Sequence, residues 1–357
     1  MSSMTGKNIK ISVFGQSHSE GIGVVIDGLP TGVRLDMEKI YAFMARRAPG
    51  NNAMSTARKE ADKPEIISGL ADGITCGAPL CAIIRNTNTR SGDYSNLKDC
   101  PRPSHADFAA GIRYNGFNDV AGGGHFSGRL TAPLCFAGAV CMQILSEMGI
   151  EIKAHIYSIA GIRDEQFDLV NITDCDIAAK DFPVIDDAAG QKMIDAILEA
   201  KAQADSVGGI IECAVTGVAA GYGDPMFDGV ENIIAKNIFA VPAVKGIEFG
   251  NGFGCAEIKG SKNNDPYRIV DGKVTTLTNN AGGITGGITT GMPIVFRAAI
   301  KPTPSIGKEQ QSISLSKNEN ADLVITGRHD PCIIQRAVPV IEAVAAMSIL
   351  DIIRETR

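Results

Sequence analysis

The sequence contains no tryptophan, and only 5% of its 357 residues are aromatic. It also lacks any run of eighteen apolar residues, although 44% of it is hydrophobic and 21% is charged. Such a chain can bury a large core but offers no membrane-spanning segment. The amino terminus, MSSMTGKNIK, has no apolar stretch of the kind that a secretory signal needs. We therefore expect a soluble, cytoplasmic protein with no membrane partner.

Paired cysteines and a positive net charge are also absent. The nine cysteines are odd in number and form no C-x-x-C pair, which excludes the usual disulfide framework and zinc site. A net charge of −6 argues against a nucleic-acid partner, because tracking phosphates needs a basic surface. Six arginines nevertheless stand close to a glycine, proline or histidine: Arg46, Arg47, Arg58, Arg102, Arg129 and Arg328. Their placement suggests a small anionic ligand.

Several common catalytic signatures are missing. The sequence has no G-x-x-x-x-G-K-[ST], G-x-G-x-x-G or H-E-x-x-H motif, and GQSHS lacks the last glycine of G-x-S-x-G. The sequence therefore lacks the motifs that usually indicate nucleoside-triphosphate binding, Rossmann dinucleotide binding, zincin catalysis or esterase catalysis.

Predicted strands and helices alternate irregularly, without the strand–helix–strand rhythm of a Rossmann protein. The predicted strands are Ile9 to Phe14, Gly23 to Ile26, Pro64 to Ile67, Pro79 to Arg85, Gly209 to Val218, Lys245 to Phe249 and Met292 to Ala299. The predicted helices are Met37 to Arg47, Gly128 to Met148, Ala188 to Ala204 and Pro331 to Arg354. This mixture indicates an α+β fold, and the absence of a linker favours one domain over residues 1–357.

Three polar stretches place a titratable residue beside glycine, proline or arginine. GQSHSEG (15–21) contains His18, RPSHAD (102–107) contains His105, and GRHDPC (327–332) contains Asp330. Each also has a structural interpretation: His18 as a solvated turn residue, Asp107 as a helix cap, and Asp330 as an N-cap before Pro331. Local sequence alone leaves both interpretations open.

The stretch GGGHFSGRLT (122–131) is more informative. Ser127 is a predicted N-cap, which puts Arg129 in the first turn of the following helix. A cation there is disfavoured by the helix dipole by about 0.3–1 kcal/mol. Because helix N-termini attract anions and an arginine strengthens such a site, we interpret Arg129 as an anion ligand.

Nine stretches, in this order and spacing, resemble the motifs of chorismate synthases over nearly the whole chain. They read FGQSHSEGIGVVIDGLPTG, RRAPG, RPSHAD, AGGGHFSGRLTA, ADSVGG, AVKGIEFGNGF, NNAGGITGGITTG, KPTPS and GRHDPC...RAVPVIEA. The resemblance implies a 1,4-anti elimination of phosphate from 5-enolpyruvylshikimate 3-phosphate to give chorismate, which requires reduced FMN without net redox change. It also implies a single-domain β-α-β sandwich of antiparallel sheets and helices, assembled as a homotetramer.

The resemblance assigns roles to residues at matching positions, and it implies no metal. The implied catalytic residues are His18 beside the leaving phosphate, His105 near the flavin N1 and C2 carbonyl, and Asp330 as a base toward flavin N5. The implied substrate ligands are Ser17, Arg47, Arg58, Arg102, Arg129 and Arg328. The implied cofactor contacts are Gly124, His125, Phe126, Ser127, Ala243, Gly286, Lys301, Pro302, Thr303, Pro304, Ser305 and Arg328.

The chain departs from the family pattern at three places. Many members have an acid where Gln16 stands, Arg-Ser-Ser where His125 to Ser127 stand, and a basic residue near Ala53. The change at Ala53 removes one potential substrate or NADPH contact.

Two other functions fit part of the same pattern. An NADPH-dependent flavin reductase activity in the FMN pocket is one, although the chain has no spare domain for it. A binding protein for phosphorylated metabolites without catalysis is the other; it explains the arginines but leaves the histidines and flavin segments without a role. For the synthase, a separate flavin reductase is the implied electron source, with NADPH as an indirect donor.

Overall fold

The computed structural model describes residues 3–49, 62–87, 97–172, 176–325 and 330–354. The strands in chain order are β1 Met4–Thr5, β2 Lys10–Gly15, β3 Gly21–Asp27, β4 Pro64–Ser68, β5 Leu70–Ala71, β6 Ile74–Thr75, β7 Leu80–Arg85, β8 Glu151–Ile159, β9 Ile162–Arg163, β10 Gly209–Thr216, β11 Val244–Phe249, β12 Tyr267–Val270, β13 Lys273–Thr276, β14 Ile284–Thr285, β15 Ile288–Thr289, β16 Ile294–Ile300, β17 Gln310–Ser314 and β18 Glu319–Leu323. Ten of these described strands form two antiparallel five-stranded sheets, with orders β1-β2-β3-β7-β4 and β11-β16-β10-β8-β9.

The helices confirm the four that the sequence predicts and add shorter ones. In chain order they are α1 Met37–Arg47, α2 Asp107–Arg113, α3 Thr131–Glu147, α4 Asp187–Ala202, α5 Val230–Ile238, α6 Gly260–Asn263 and α7 Ile334–Ile353. Two of the predicted helices begin three residues later than expected. A separate 3-10 turn, Gly128–Leu130, precedes α3, and α7 begins at Ile334 rather than Pro331.

Strand β8 was not predicted from the sequence. Its polar residues Lys153 and His155 obscure the usual strand pattern, yet the strand lies inside the second sheet and His155 is fully buried. The ring of His155 fits there because it contacts two buried carboxylates, Asp164 at 3.1 Å and Glu212 at 3.0 Å. Buried polar groups require such partners, and these come from segments that periodicity cannot connect.

The helices α1, α3 and α7 form a layer between the two sheets. Helix α3 packs on the first sheet through β3 and β7, whereas α7 packs on β8 and β10 of the second. The expected sandwich of antiparallel sheets and helices is thereby confirmed as an α+β fold. One continuous hydrophobic cluster joins both sheets through this layer.

Among the described residues, one helical stretch, Gly128–Glu147, is long and apolar enough to cross a bilayer. Within its most apolar window 72% is buried inside the protein. The stretch contains α3, which contacts α7 on one side and strands of the first sheet on the other. Its apolar character therefore reflects a position in the core.

Helices α3 and α7 approach each other closely at Gly138. A Cβ atom built on Gly138 would lie 2.2 Å from the Cα of Ala343. We therefore expect Gly138→Ala to push the helices apart and to lower the free energy of unfolding by roughly 1–3 kcal/mol. Urea denaturation would measure the loss.

Gly111→Ala is the matched control, because Gly111 lies in α2 with nothing within 4 Å of an added Cβ. It should leave stability unchanged or raise it by about 0.4–1 kcal/mol. Equal stability of Gly138→Ala and the native protein would show that the contact between α3 and α7 tolerates a methyl group.

Candidate active site

A cavity of about 560 Å³ opens where distant segments of the chain meet. Its walls come from the end of α1, the turn 102–106, the loop 122–131, the segments 239–244 and 301–305, and residues 330–340. This volume suits a small-molecule ligand. The cavity brings together most of the described site residues predicted from the sequence: Arg47, Arg102, His105, His125, Phe126, Ser127, Arg129, Ala243, Lys301, Thr303, Pro304, Ser305 and Asp330.

Two of the cavity arginines share one buried carboxylate. Asp62 accepts from Nη1 of Arg47 with one oxygen and from Nη1 of Arg129 with the other. Both guanidinium side chains are 4% exposed and the carboxylate is fully enclosed. Arg47 also donates from Nε to Thr131 at 3.1 Å, and Arg129 donates from Nε to Asn86 at 3.1 Å. Arg129 is thus a buried, fixed side chain rather than an incidental surface residue.

Burial alone would raise the pKa of Asp62, but the charges and hydrogen bonds of Arg47 and Arg129 outweigh it and lower that pKa. The carboxylate therefore stays ionised near neutral pH and offsets the unfavourable position of Arg129 before α3. As predicted, Ser127 caps this turn by accepting from the backbone N–H of Arg129 at 3.3 Å.

Asp330 is not the helix cap that the sequence suggested. Helix α7 begins at Ile334, and its N-cap residue, Ile333, makes no side-chain capping bond. Instead, Asp330 accepts from Nη1 of Arg336 at 2.5 Å. Arg336 also donates from Nε to the backbone oxygen of Arg47 at 3.0 Å, which ties α7 to α1.

Sequence reasoning did not assign a role to Arg336, although this residue lines the cavity. The available signal was an arginine in the first turn of a helix that is otherwise almost entirely buried and apolar. Such a cation needs a partner or a ligand. Arg336 has Asp330 as its partner and lies beside the Arg47 and Asp62 pair.

A loop of three consecutive glycines contacts the side chains of the two candidate histidines, His18 and His105. Gly122, Gly123 and Gly124 all adopt positive φ, at 59°, 84° and 54°, which glycine alone tolerates without strain. A Cβ on Gly122 would lie 2.2 Å from the ring of His18, and one on Gly123 would lie 3.2 Å from Nε2 of His105. The loop therefore brings its backbone against both imidazoles, which no residue with a side chain permits.

His18 lies behind Gly122 rather than on the cavity wall itself. Its Nδ1 is 3.2 Å from the hydroxyl of Ser17, a residue that is completely buried. The backbone N–H of Ser17 donates to the oxygen of Gly124 at 3.1 Å. The stretch GQSHSEG is thereby hydrogen-bonded to the glycine loop, and His18 is half-buried, not the solvated turn residue of the structural interpretation.

Asp107 is also not a helix cap. It is the first residue of α2, and its carboxylate accepts from the backbone N–H, Nε and Nη2 of Arg102 at 3.1, 2.7 and 2.8 Å. Arg102 further donates from Nη1 to the hydroxyl of Ser305 at 3.2 Å. The turn RPSHAD is thus closed by an ion pair within itself, and His105 stands between the two partners.

The segment 301–305 and the residues after the glycine loop complete the wall. Lys301 donates from Nζ to the backbone oxygen of Ser104, and burial together with the charge of Lys245 lowers the pKa of Lys301. The hydroxyl of Thr303 is buried without a hydrogen-bond partner. Such an orphaned group in a cavity wall is available to a bound ligand.

The apolar part of the wall is formed by Phe126, Val241, Pro242 and Pro304. His125 lies next to Phe126; its Nδ1 donates to the backbone oxygen of Gly15 at 2.8 Å, and its Nε2 lies 2.8 Å from the hydroxyl of Ser3. A wall with an apolar face, a lysine and a hydroxyl that is available for hydrogen bonding suits a flat, phosphorylated cofactor.

Other predicted residues lie elsewhere. Gly124 and Ser17 are buried behind the wall, Pro302 is not a lining residue, and Gly286 lies in the turn between β14 and β15, away from the lining set. Arg58, Arg328 and Ala53 lie outside the described residues. Gln16 is exposed in the loop that carries His18.

Comparison with known proteins gives one consistent family. The family model described as chorismate synthase matches residues 9–353. The chorismate synthase of Lancefieldella parvula is 45% identical, with 98% of this chain and 96% of the relative covered. That of Pyrococcus abyssi is 44% identical, with 98% and 96% covered. A crystal structure of chorismate synthase superposes with a TM-score of 0.77 at 26% identity, covering 98% of this chain and 92% of the other.

The shared carboxylate generates a stability prediction. Asp62→Asn leaves two buried guanidinium groups without their counter-charge, so we expect the free energy of unfolding at pH 7 to fall by about 3 kcal/mol. Because the pKa of Asp62 is lowered in the folded state, its stabilisation is present above the unfolded pKa and is lost as pH falls through the folded one. The difference in the free energy of unfolding between the native protein and Asp62→Asn should therefore become smaller below about pH 4.

Glu65→Gln is the matched control, since it removes an ion pair with Arg85 whose side chains are 50% and 53% exposed. It should cost less than about 1 kcal/mol. Denaturant unfolding at several pH values would compare the two, and equal losses would contradict the central position given to Asp62.

Proposed function

The chain belongs to the chorismate synthase family, and we propose that it catalyses the 1,4-anti elimination of phosphate from 5-enolpyruvylshikimate 3-phosphate to give chorismate. This is a carbon–oxygen lyase reaction of the shikimate pathway. The observation that carries the proposal is the convergence of Arg47, Arg102, Arg129 and Arg336 on one cavity beside the two histidines.

The charge of the cavity suits this substrate, which carries two carboxylates and a phosphate. Guanidinium groups bind both kinds of anion through paired N–H donors. The arginines are already oriented by buried carboxylates, so little side-chain freedom is lost when an anion binds. We expect Arg47 and Arg129 to contact the substrate together with Ser17, Arg58, Arg102 and Arg328.

We propose that His18 acts at the leaving phosphate and that Asp330 acts as the base of the elimination. We propose that the half-buried imidazole of His18, which bonds Ser17 and lies behind Gly122 of the cavity wall, gives a proton or positive charge to the leaving phosphate. Asp330 lies on the cavity wall and is oriented by Arg336, as a positioned base must be.

Reduced FMN is the proposed cofactor, and it supplies an electron transiently while the carbon–oxygen bond breaks. The residues of the wall fit it: Lys301 for its phosphate, Thr303 and Ser305 for hydrogen bonds, and Phe126 with Pro304 for the ring face. His125, Ser127 and Ala243 line the same region. No metal is proposed.

In the cell we propose a cytoplasmic homotetramer that obtains reduced flavin from a separate reductase, with NADPH as the indirect donor. The long buried helix α3 supplies no argument for a membrane location, since most of its apolar surface is inside the core.

The function is tested by anaerobic incubation of the protein with dithionite-reduced FMN and 5-enolpyruvylshikimate 3-phosphate. We expect phosphate and chorismate to appear in equal amounts while the flavin returns reduced. Binding of the substrate without either product would favour a binding protein instead. Bleaching of bound FMN by NADPH alone would favour a flavin reductase.

Asp330→Asn tests the proposed base. Because asparagine cannot take a proton, we expect turnover to fall by roughly 10²-fold or more, with reduced FMN still bound. The melting temperature should also fall slightly, since the ion pair with Arg336 loses its charge. Asp330→Glu keeps a carboxylate and should retain more turnover than Asp330→Asn. Full turnover in the asparagine variant would remove Asp330 from the proton transfer.

A further inference from the structure

The imidazole of His105 has a buried carboxylate at one ring nitrogen. Nδ1 lies 2.6 Å from Oδ1 of Asp107, whose side chain is 3% exposed. The same Nδ1 lies 3.0 Å from Nη2 of Arg102. A guanidinium only donates and an ionised carboxylate only accepts, so these two contacts demand opposite states of Nδ1.

The shorter contact decides between them. The hydrogen bonds of Arg102 and His105 outweigh burial and lower the pKa of Asp107, so its carboxylate is ionised and accepts. Nδ1 therefore carries a proton that it donates to Asp107, and the 3.0 Å approach of Arg102 is a contact rather than a hydrogen bond. Arg102 already directs its Nε and Nη2 donors at the same carboxylate.

The opposite ring nitrogen, Nε2, faces the glycine loop that borders the cavity. His105 lines the cavity, and Nε2 is the ring atom nearest to Gly123 of the glycine loop. With the proton fixed on Nδ1, the neutral imidazole presents a lone pair at Nε2, and the protonated imidazole presents a donor there. The carboxylate thus determines what His105 offers to a ligand.

The turn that carries His105 is built to keep this arrangement. Ser104 adopts a positive φ of 58°, a backbone conformation that residues with a side chain rarely take. Its backbone oxygen accepts from Lys301, and Arg102 is anchored to Ser305. Two hydrogen bonds to the distant segment 301–305 therefore hold the strained turn.

We infer that Asp107 is a positioning residue of this site: it holds His105 in the Nδ1–H tautomer, so that Nε2 exchanges the proton with the ligand in the cavity. In its effect on turnover, the inference rests on the proposed function. The charged groups that face the site of His105 are Asp107 and Arg102 of its own turn and helix, Lys301, which bonds the adjacent Ser104, and the other charged residues of the cavity lining, Arg47, Arg129, Asp330 and Arg336.

Asp107→Asn keeps the shape of the side chain but removes its charge, which also weakens the buried ion pair with Arg102. Oδ2 accepts from two donors of Arg102 and Oδ1 from only one, so the asparagine oxygen is favoured at the Oδ2 position and its NH2 group then faces His105. Nδ1 must in that case accept, and the imidazole proton moves to Nε2. The substitution therefore reverses the tautomer.

The tautomer is read directly from ¹⁵N chemical shifts of the ring in full-length protein labelled at histidine. The chain has five histidines, and the signal of His105 is identified by its loss in His105→Ala. We expect Nδ1–H in the native protein and Nε2–H in Asp107→Asn. This measurement needs neither FMN nor substrate.

Turnover supplies the second readout. Asp107→Asn should lower kcat by roughly 10²-fold, the scale of a displaced acid or base, with a much smaller change in KM. In a His105→Ala background the same substitution should change kcat by less than about threefold, because residues that act as a unit are not additive. Asp99→Asn is the control: Asp99 bonds only Ser314 and Ser316 among its described side-chain contacts and should leave kcat unchanged.

Failure of the inference about Asp107 and failure of the proposed function give different results. An Nε2–H tautomer in the native protein, an unchanged tautomer in Asp107→Asn, or equal losses in both backgrounds would overturn the inference. If the native protein forms no chorismate, the proposed function fails, and the ring shifts alone then decide whether Asp107 sets the tautomer of His105.

Discussion

The cavity depends on one electrostatic constraint: several arginines can share a small, poorly hydrated space only if carboxylates neutralise them before a ligand arrives. Asp62 does this for Arg47 and Arg129, and Asp107 does it for Arg102. Asp330 does the same for Arg336. Unpaired buried charges would cost several kcal/mol each. A protein with a net charge of −6 can thus present a strongly cationic pocket.

The sandwich places these pairs by bringing the ends of its three central helices together. Arg47 is the last residue of α1, Arg129 lies in the turn before α3, and Arg336 is in the first turn of α7. Two of these ends are helix N-termini, whose dipoles favour an anion. The apolar layer between the sheets, which stabilises the fold, therefore also sets the spacing of the cations.

Local patterns in the sequence predicted the elements that depend on local interactions. Helix α1 was predicted with its observed limits, and Ser127 was recognised as a cap because its bond is made two residues away. The roles of Asp107 and Asp330 as caps were wrong, because Arg102 and Arg336, five and six residues away, bind the same oxygens. Asp62 was missed, since its partners Arg47 and Arg129 come from other segments and no periodicity links them. Arg336 was missed because Asp330, its partner six residues earlier, was interpreted as a helix cap. The family resemblance, rather than any pattern of spacing, supplied the roles of the cavity residues.

The central claim is that carboxylate-held arginines make this cavity a site for a phosphorylated, multiply anionic substrate. Calorimetric titration of the native protein with 5-enolpyruvylshikimate 3-phosphate and with the same molecule lacking its phosphate tests it most directly. The account predicts that losing the phosphate weakens binding at least tenfold, or about 1.4 kcal/mol, because charge-assisted contacts disappear while the guanidinium groups stay in place. Equal affinities for the two compounds would contradict it.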